Sequence, residues 1–126
     1  MRAVDTNVLV RLLVRDDAAQ VAAAEAFVAR GAWVSQLVLA ETVWVLQSAH
    51  DLKPAQVATA VEMLLTHDRL SLQDEAVVSA ALDAFRGNTR VEFTDCLVLE
   101  IARKAGHLPL GTFDRRLGRL EGAEDL

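Results

Sequence analysis

The sequence predicts an α/β fold in which a mainly parallel sheet carries helices on both faces. Short apolar runs alternate along the chain with longer segments whose apolar residues recur at helical spacing. No repeat, low-complexity tract or linker rich in Pro, Gly or Ser divides it. A chain of 126 residues suits one hydrophobic core. We therefore expect a single domain over residues 1–126.

Four strands are predicted by apolar runs that are too short for a helix. They cover residues 2–5, 32–35, 70–72 and 108–112. Because helical segments separate these runs, consecutive strands should pair in parallel. We expect one short, twisted sheet of four or five strands.

Six helices are predicted between the strands. They cover residues 7–14, 18–30, 36–49, 53–67, 74–87 and 94–106. Either Asp16 or Asp17 suits the N-cap of the second helix, and Gly31 stops it. Pro54 fits the first turn of the fourth helix. The fifth begins with acidic residues and ends at a glycine, and Thr94 suits the N-cap of the sixth.

The composition predicts a cytoplasmic protein with apolar surface to cover. Hydrophobic residues make up 52% of the chain and the mean hydropathy is +0.23, which favours a homodimer or another protein partner. The longest stretch without basic residues contains Glu41 and is a poor membrane span. The N-terminus does not resemble an export signal, and a single cysteine, Cys96, suits a reducing compartment.

The net charge of −5 at first argues against a nucleic-acid partner, because phosphate binding normally requires excess basic charge. Three acids lie in the last six residues, and without them 15 acidic residues face 13 basic ones. The rest of the chain is therefore nearly balanced.

Four acidic residues occupy positions where a buried element is expected. Asp5 ends the first predicted strand and Asp114 follows the fourth, and helix capping is the alternative role for each. Asp95 lies at the start of the sixth helix, where favouring the positive helix end is the alternative. Glu41 has apolar residues on nearly every side of its helix, so we expect it to be partly buried and in need of a cation.

Carboxylates that collect at the carboxyl ends of parallel strands repel one another unless a cation neutralises them. Hard oxygen ligands of this kind suit Mg²⁺ or Mn²⁺. A salt bridge from Glu41 to a distant arginine, or a water-facing stripe with Ala40 and Thr42, is the alternative that needs no metal.

Four segments resemble the four motifs of PIN-domain ribonucleases. They are VDTNVLV at 4–10, AETVWVL at 40–46, FTDCLVLEIA at 93–102 and LPLGTFDRRL at 108–117. In order and spacing they are most similar to the VapC-type toxins of VapBC toxin-antitoxin pairs. The resemblance covers essentially the whole chain and implies a PIN-like three-layer α/β/α sandwich.

The resemblance also implies the roles of individual residues. The family's catalytic and metal-binding acids match Asp5, Glu41, Asp95 and Asp114. Its polar supporting residues match Thr6, Asn7 and Thr112. Two departures stand out: Glu92 occupies a position where Asp is common, and Gly111 interrupts the apolar strand before the last acid.

The implied activity is hydrolysis of RNA phosphodiester bonds with Mg²⁺ or Mn²⁺, by a homodimeric toxin that a cognate antitoxin protein controls. Arginine outnumbers lysine eleven to two. One arginine cluster lies directly after Asp114 and another follows the first motif, and either these clusters bind RNA phosphates or they form ordinary solvated helix faces. Their members are Arg115, Arg116 and Arg119, and Arg11 and Arg15.

Other readings of these residues are weaker. Trp33 and Trp44 suit the core better than base stacking, and Cys96 suits it better than nucleophilic catalysis. A phosphotransferase with an aspartyl nucleophile needs a second Asp where Asn7 stands. A phospho-receiver domain needs an acidic pair after the first strand, which is absent. The alternative that stays open is a non-catalytic module that binds another protein.

Overall fold

The computed structural model describes all 126 residues and confirms the α/β class. The chain forms two compact units, Met1–Glu75 and Ala76–Leu126. None of its helices combines the length and the apolar character that crossing a membrane requires.

The first unit is built on three parallel strands in the spatial order β1-β2-β3. These are β1 Arg2–Ala3, β2 Ala32–Val34 and β3 Leu70–Leu72. Four helices connect the strands, namely α1 Thr6–Val14, α2 Ala18–Val28, α3 Gln36–His50 and α4 Pro54–Thr66. Helix α1 packs against α2 and α3, and α4 packs against β3. The larger apolar side chains most completely removed from water are Leu9, Val34, Leu39, Val43, Leu46, Val57 and Val61.

Local side chains explain where the helices of the first unit begin. Asp17, rather than Asp16, caps α2, and its Oδ1 accepts the backbone N–H of Gln20 at 3.0 Å. Ser35 caps α3 in the same way and accepts the N–H of Val38 at 3.1 Å. Both contacts satisfy donors that the first turn of a helix leaves without partners.

The second unit combines two helices with a small parallel sheet. Helix α5 is Glu75–Gly87, which begins at the last residue of the first unit, and α6 is Phe93–Ala105. Strand β4, Leu110–Thr112, pairs with β5, Ala123–Asp125, and a 3-10 turn, Leu117–Arg119, packs on both strands.

An aromatic contact and a glycine shape the helices of this unit. The rings of Phe85 and Phe93 meet edge to face with their centroids 5.9 Å apart, which joins the end of α5 to the start of α6. Gly106 ends α6 in the left-handed conformation, with φ of 82°. Helix α5 ends at Gly87, so the glycine stop predicted for the fifth helix is confirmed.

The structure corrects the sequence predictions at three points. The strands form a three-stranded and a two-stranded sheet, whereas one sheet was expected. Strand β5 was not predicted, because its acidic sequence lacks an apolar strand pattern. Helix α6 begins one residue earlier than expected, with Glu92 at the N-cap, so the prediction of Thr94 as the cap is wrong.

Candidate functional site

Asp5 lies between β1 and α1 and caps the helix. Its backbone is extended, with φ of −97° and ψ of −179°, and its Oδ1 accepts the N–H of Val8 at 3.4 Å. The side chain is exposed, as is that of Asn7 in the first turn of α1. The contact to Val8 is long for a hydrogen bond and engages one oxygen of the carboxylate. Asp5 therefore keeps the capacity to bind a ligand while it caps α1.

A hydrogen bond joins the first and second motifs in the first unit. The hydroxyl of Thr6 donates to Oε2 of Glu41 at 2.7 Å, although the two residues are 35 positions apart in the chain. The packing of α1 against α3 makes this contact possible. A hydrogen bond to an ionised carboxylate is stronger than one between neutral groups, so Thr6 fixes the orientation of Glu41.

Glu41 is exposed, and the prediction that it is partly buried is wrong. Helix α3 leaves one face uncovered, and the side chains of Leu37 and Trp44 on that face are 71% and 66% exposed. These two residues lie one turn before and one turn after Glu41 on the same side of the helix. The assignment of Trp44 to the core is wrong for the same reason. A helix that is apolar all round is usually buried on every side, and α3 is not.

Asp95 lies in the first turn of α6 and is half-buried. The carbonyl of Glu92 accepts the backbone N–H of Asp95 and that of Cys96, both at 3.1 Å. These bonds start the helix without help from a side chain, since no side-chain hydrogen bond caps it. The carboxyl group of Asp95 is therefore not used as a cap.

Asp114 organises the turn that follows β4. Its backbone N–H donates to the hydroxyl of Thr112 at 3.0 Å. Its Oδ1 accepts the N–H groups of Arg116 and Leu117 at 2.9 and 3.2 Å. The side chain remains exposed. Thr112 thus positions the backbone of Asp114, and Asp114 in turn fixes the start of the arginine-rich segment.

The acidic groups of the third and fourth motifs interact electrostatically in the second unit. Burial, and then the negative charges of Asp114 and Glu92, raise the pKa of the Asp95 carboxyl above its usual value. Both causes disfavour the ionised form. The folded second unit therefore concentrates negative charge around Asp95.

A family model of the PIN domain matches residues 2–123 of the chain. The chain belongs to the PIN domain family. PIN domains are generally nucleases that hydrolyse nucleic acids, which places this PIN domain in a nuclease superfamily. Comparisons with curated proteins and with solved structures gave no significant match.

PIN nucleases typically use divalent metal ions, and the donor groups of this PIN domain have the chemistry for one. Carboxylate, amide and hydroxyl oxygens are the ligands that Mg²⁺ and Mn²⁺ prefer. Burial, and then the negative charges of Asp114 and Glu92, raise the pKa of Asp95, and a cation would compensate those charges. Within neither unit do three or more His, Cys, Asp or Glu side chains converge as a metal-binding group. Mg²⁺ commonly binds through one or two carboxylates, several waters and substrate phosphates, so the donors fit such an ion.

The arginines after the first motif are engaged by protein carboxylates. Arg11 pairs with Asp16 at 2.8 Å, and Arg15 pairs with Glu25 at 2.6 Å. The expectation that these two arginines bind phosphate therefore loses its support. Arg115, directly after Asp114, is exposed, and no carboxylate pairs with it.

Sequence patterns do not single out Arg90. This residue follows α5 and lines a surface cavity together with Arg116 and Arg119. Its surroundings in the chain, Gly-Asn-Thr-Arg, are those of an ordinary polar loop. The local sequence held no signal for it, because only the fold brings Arg90 to the arginines after Asp114.

Cys96 is fully buried, as expected for a core residue. Burial, and then the charges of Asp95 and Glu100, raise the pKa of its thiol to about 11. A nucleophilic cysteine needs the opposite shift, because the thiolate is the reactive form. Nucleophilic catalysis by Cys96 therefore has no physical basis.

Proposed function

We propose that this PIN domain is a metal-dependent endoribonuclease that hydrolyses RNA phosphodiester bonds. The observation that carries the proposal is that remote motifs meet within each unit, Thr6 with Glu41 and Asp95 with Asp114. Helix capping requires only residues that are close in the chain, so it does not explain why motifs distant in sequence come together. Binding of a cation does explain it. Because the family match runs through both units, we propose that residues 1–126 act as one domain.

The proposed cofactor is Mg²⁺ or Mn²⁺. Its proposed ligands are Asp5, Glu41, Asp95 and Asp114. When bound, such an ion supplies positive charge at the scissile phosphate and lowers the pKa of an attacking water. Asp5 is the central ligand in this proposal, and Asp114 either binds a second ion or orients the water.

The supporting residues hold the ligands and the substrate. Thr6 keeps Oε2 of Glu41 in place through its 2.7 Å hydrogen bond. Asn7 and Thr112 contribute hydrogen bonds to the ligands and the phosphate. Arg115 and Arg116 bind RNA phosphates, for which the guanidinium fork is well suited. The positive charge of these arginines and of the ion offsets the acidic net charge of the protein.

Cleavage of RNA by the purified protein tests the proposal. A mixed RNA pool is incubated with Mg²⁺, with Mn²⁺ and with EDTA, using the wild type, Asp5→Asn and Asp83→Asn. Asp83 is an exposed aspartate on α5, so its substitution controls for the loss of one negative charge. We expect divalent ions to support cleavage by the wild type and Asp83→Asn only. Cleavage that survives Asp5→Asn, or that continues in EDTA, would contradict the proposal.

We further propose that the enzyme is the toxin of a type II toxin-antitoxin pair, acts in the cytoplasm as a homodimer and is inhibited by its antitoxin. The order and spacing of the four motifs support this role. The exposed Leu37 and Trp44 offer apolar surface for a protein contact. Expression should stop growth, and co-expression of a small protein encoded next to it should restore growth. Normal growth during expression of soluble, nuclease-active protein would contradict the toxin role.

The same exposed face of α3 supports a second candidate, a non-catalytic module that binds another protein. Leu37 and Trp44 are the specific observation in its favour, since large apolar side chains exposed together often mark an interface. The RNA assay separates the two candidates. A binding module cleaves nothing under any of the three conditions, and Asp5→Asn does not alter its behaviour.

A further inference from the structure

A surface cavity in the second unit is lined by three arginines and by no acidic residue. Its volume is about 340 Å³. Arg90 reaches it from the segment between α5 and α6, and Arg116 and Arg119 reach it from the turn after β4. Three positively charged residues at one cavity, without an acidic one, favour the binding of an anion there.

These three arginines keep their charges available. By contrast, Arg11, Arg15 and Arg103 pair with carboxylates, the last of them with Glu100 at 3.2 Å. The side chains of Arg90, Arg116 and Arg119 form neither ion pairs nor hydrogen bonds. In a protein whose net charge is −5, such a group of uncompensated cations is a local exception. Their mutual repulsion is relieved when an anion enters the cavity.

The cavity adjoins the turn that Asp114 organises. Arg116 is only two residues beyond Asp114, and its backbone N–H donates to Oδ1 of that residue at 2.9 Å. This hydrogen bond fixes the backbone at the start of the segment that carries Arg116 and Arg119. A phosphate bound by these arginines therefore lies close in the chain to Asp114, one of the two proposed ligands in the second unit. This connection favours the RNA backbone over an unrelated anion.

We propose that Arg90, Arg116 and Arg119 form a subsite that binds a backbone phosphate of the RNA substrate next to the phosphate that is cleaved. The choice of RNA rests on the proposed function. Guanidinium groups bind phosphate oxygens in pairs, so three of them select for a dense phosphate charge. Such contacts position the strand and contribute no base specificity.

Binding of a fluorescein-labelled single-stranded RNA, followed by anisotropy in EDTA, tests the subsite without cleavage. The variants are Arg90→Gln, Arg116→Gln and Arg119→Gln, with Arg30→Gln as the matched control. Arg30 is exposed and lies outside the cavity. All four side chains are exposed, so the variants should fold, which circular dichroism verifies.

We expect each cavity variant to bind RNA about 3- to 10-fold more weakly, and the control to match the wild type. For a single strand, the slope of log K against log salt concentration is about −0.7 per phosphate neutralised. Because the three arginines share one phosphate, each cavity substitution should flatten the slope by no more than about 0.7. Unchanged affinity and slope in the cavity variants would overturn the subsite, as would a wild type that does not bind RNA. If a polyglutamate peptide of equal charge displaces RNA as effectively as unlabelled RNA does, the cavity serves an acidic protein partner and the RNA assignment is wrong.

Cleavage kinetics keep this inference separate from the proposed function. A wild type that binds RNA through the three arginines but does not cleave it with Mg²⁺ or Mn²⁺ would refute the nuclease and leave the subsite standing. Cleavage that depends on Asp5, with the same KM in all the arginine variants, would leave the nuclease standing and refute the subsite.

Discussion

Replacing Thr6 with Val removes the hydroxyl that donates to Oε2 of Glu41 at 2.7 Å while nearly preserving the shape of the side chain. A hydrogen bond to a charged group contributes about 1.5–3 kcal/mol when protected from water. Glu41 is exposed, so water competes for its carboxylate and lowers the contribution to about 0.5–1.5 kcal/mol. If Thr6 positions a metal ligand, the same free energy is lost from the transition state. Because about 1.4 kcal/mol corresponds to a factor of ten, kcat/KM should fall about 2- to 12-fold.

Initial rates on a fluorescent RNA measure this effect at saturating Mg²⁺ or Mn²⁺. Thr6→Ser, which keeps the hydroxyl, should retain most of the activity. Thr59→Val is the matched control, since the Thr59 hydroxyl donates at 3.0 Å to the carbonyl of Ala55 within α4 and meets no carboxylate. We expect it to leave kcat/KM unchanged. Wild-type kcat/KM in Thr6→Val, or an equal loss in Thr59→Val, would refute the positioning role.

Three further substitutions or reactions probe the second unit. The carboxyl group of Asp95 has a higher pKa in the folded than in the unfolded protein. Its contribution to stability is therefore present at low pH and is lost as the pH rises through the folded-state pKa. We expect Asp95→Asn to raise the Tm in EDTA at neutral pH, because the substitution removes this ionised group. That gain should vanish below the ordinary aspartate pKa of about 3.9, and a lower Tm at neutral pH would contradict the reasoning. Gly118→Ala places a methyl group 2.7 Å from Cβ of Asp125 and 3.1 Å from its Cα, and should cost about 1–3 kcal/mol in urea denaturation. Gly87→Ala meets nothing within 4 Å and is its control, so equal losses of stability in both would argue against the clash. Cys96, fully buried with a pKa of about 11, should react with a thiol reagent only after unfolding, and rapid labelling of the native protein would show that the burial is wrong.

The helices and most strands could be predicted because their signals are local. Helical spacing of apolar residues, Pro54 in a first turn and Gly87 as a stop act within a few residues of the chain. The capping role of Asp17 follows from the same local chemistry. The boundaries of these elements in the structure therefore differ from the predicted ones by only a few residues.

Strand pairing and exposure depend on parts of the chain that are distant in sequence. Backbone hydrogen bonds hold strand β5, such as that from the N–H of Leu126 to the carbonyl of Thr112 at 2.9 Å. No pattern of side chains in the sequence predicts these bonds. The apolar sequence of α3 indicates burial on all sides, yet the face with Leu37 and Trp44 is uncovered. The error about Glu41 has this origin.

The candidate site shows the same division. The motifs predict which acids belong to it, because each motif carries its carboxylate at a fixed place relative to a strand or helix, and this assignment stays a prediction. The hydrogen bond from Thr6 to Glu41 could not be predicted, since it requires α1 to pack on α3. The cavity that Arg90 lines could likewise not be predicted from the sequence, because two segments distant in the chain form it.

Titration with Mn²⁺ tests most directly whether carboxylates from remote motifs bind one ion together. Calorimetry is performed on the wild type, on Asp5→Asn, on Asp95→Asn and on the double variant. The account predicts that either single substitution removes the same high-affinity site and that the double variant loses nothing more. Equal Mn²⁺ binding by the wild type and both single variants, or independent losses that add in the double variant, would contradict it.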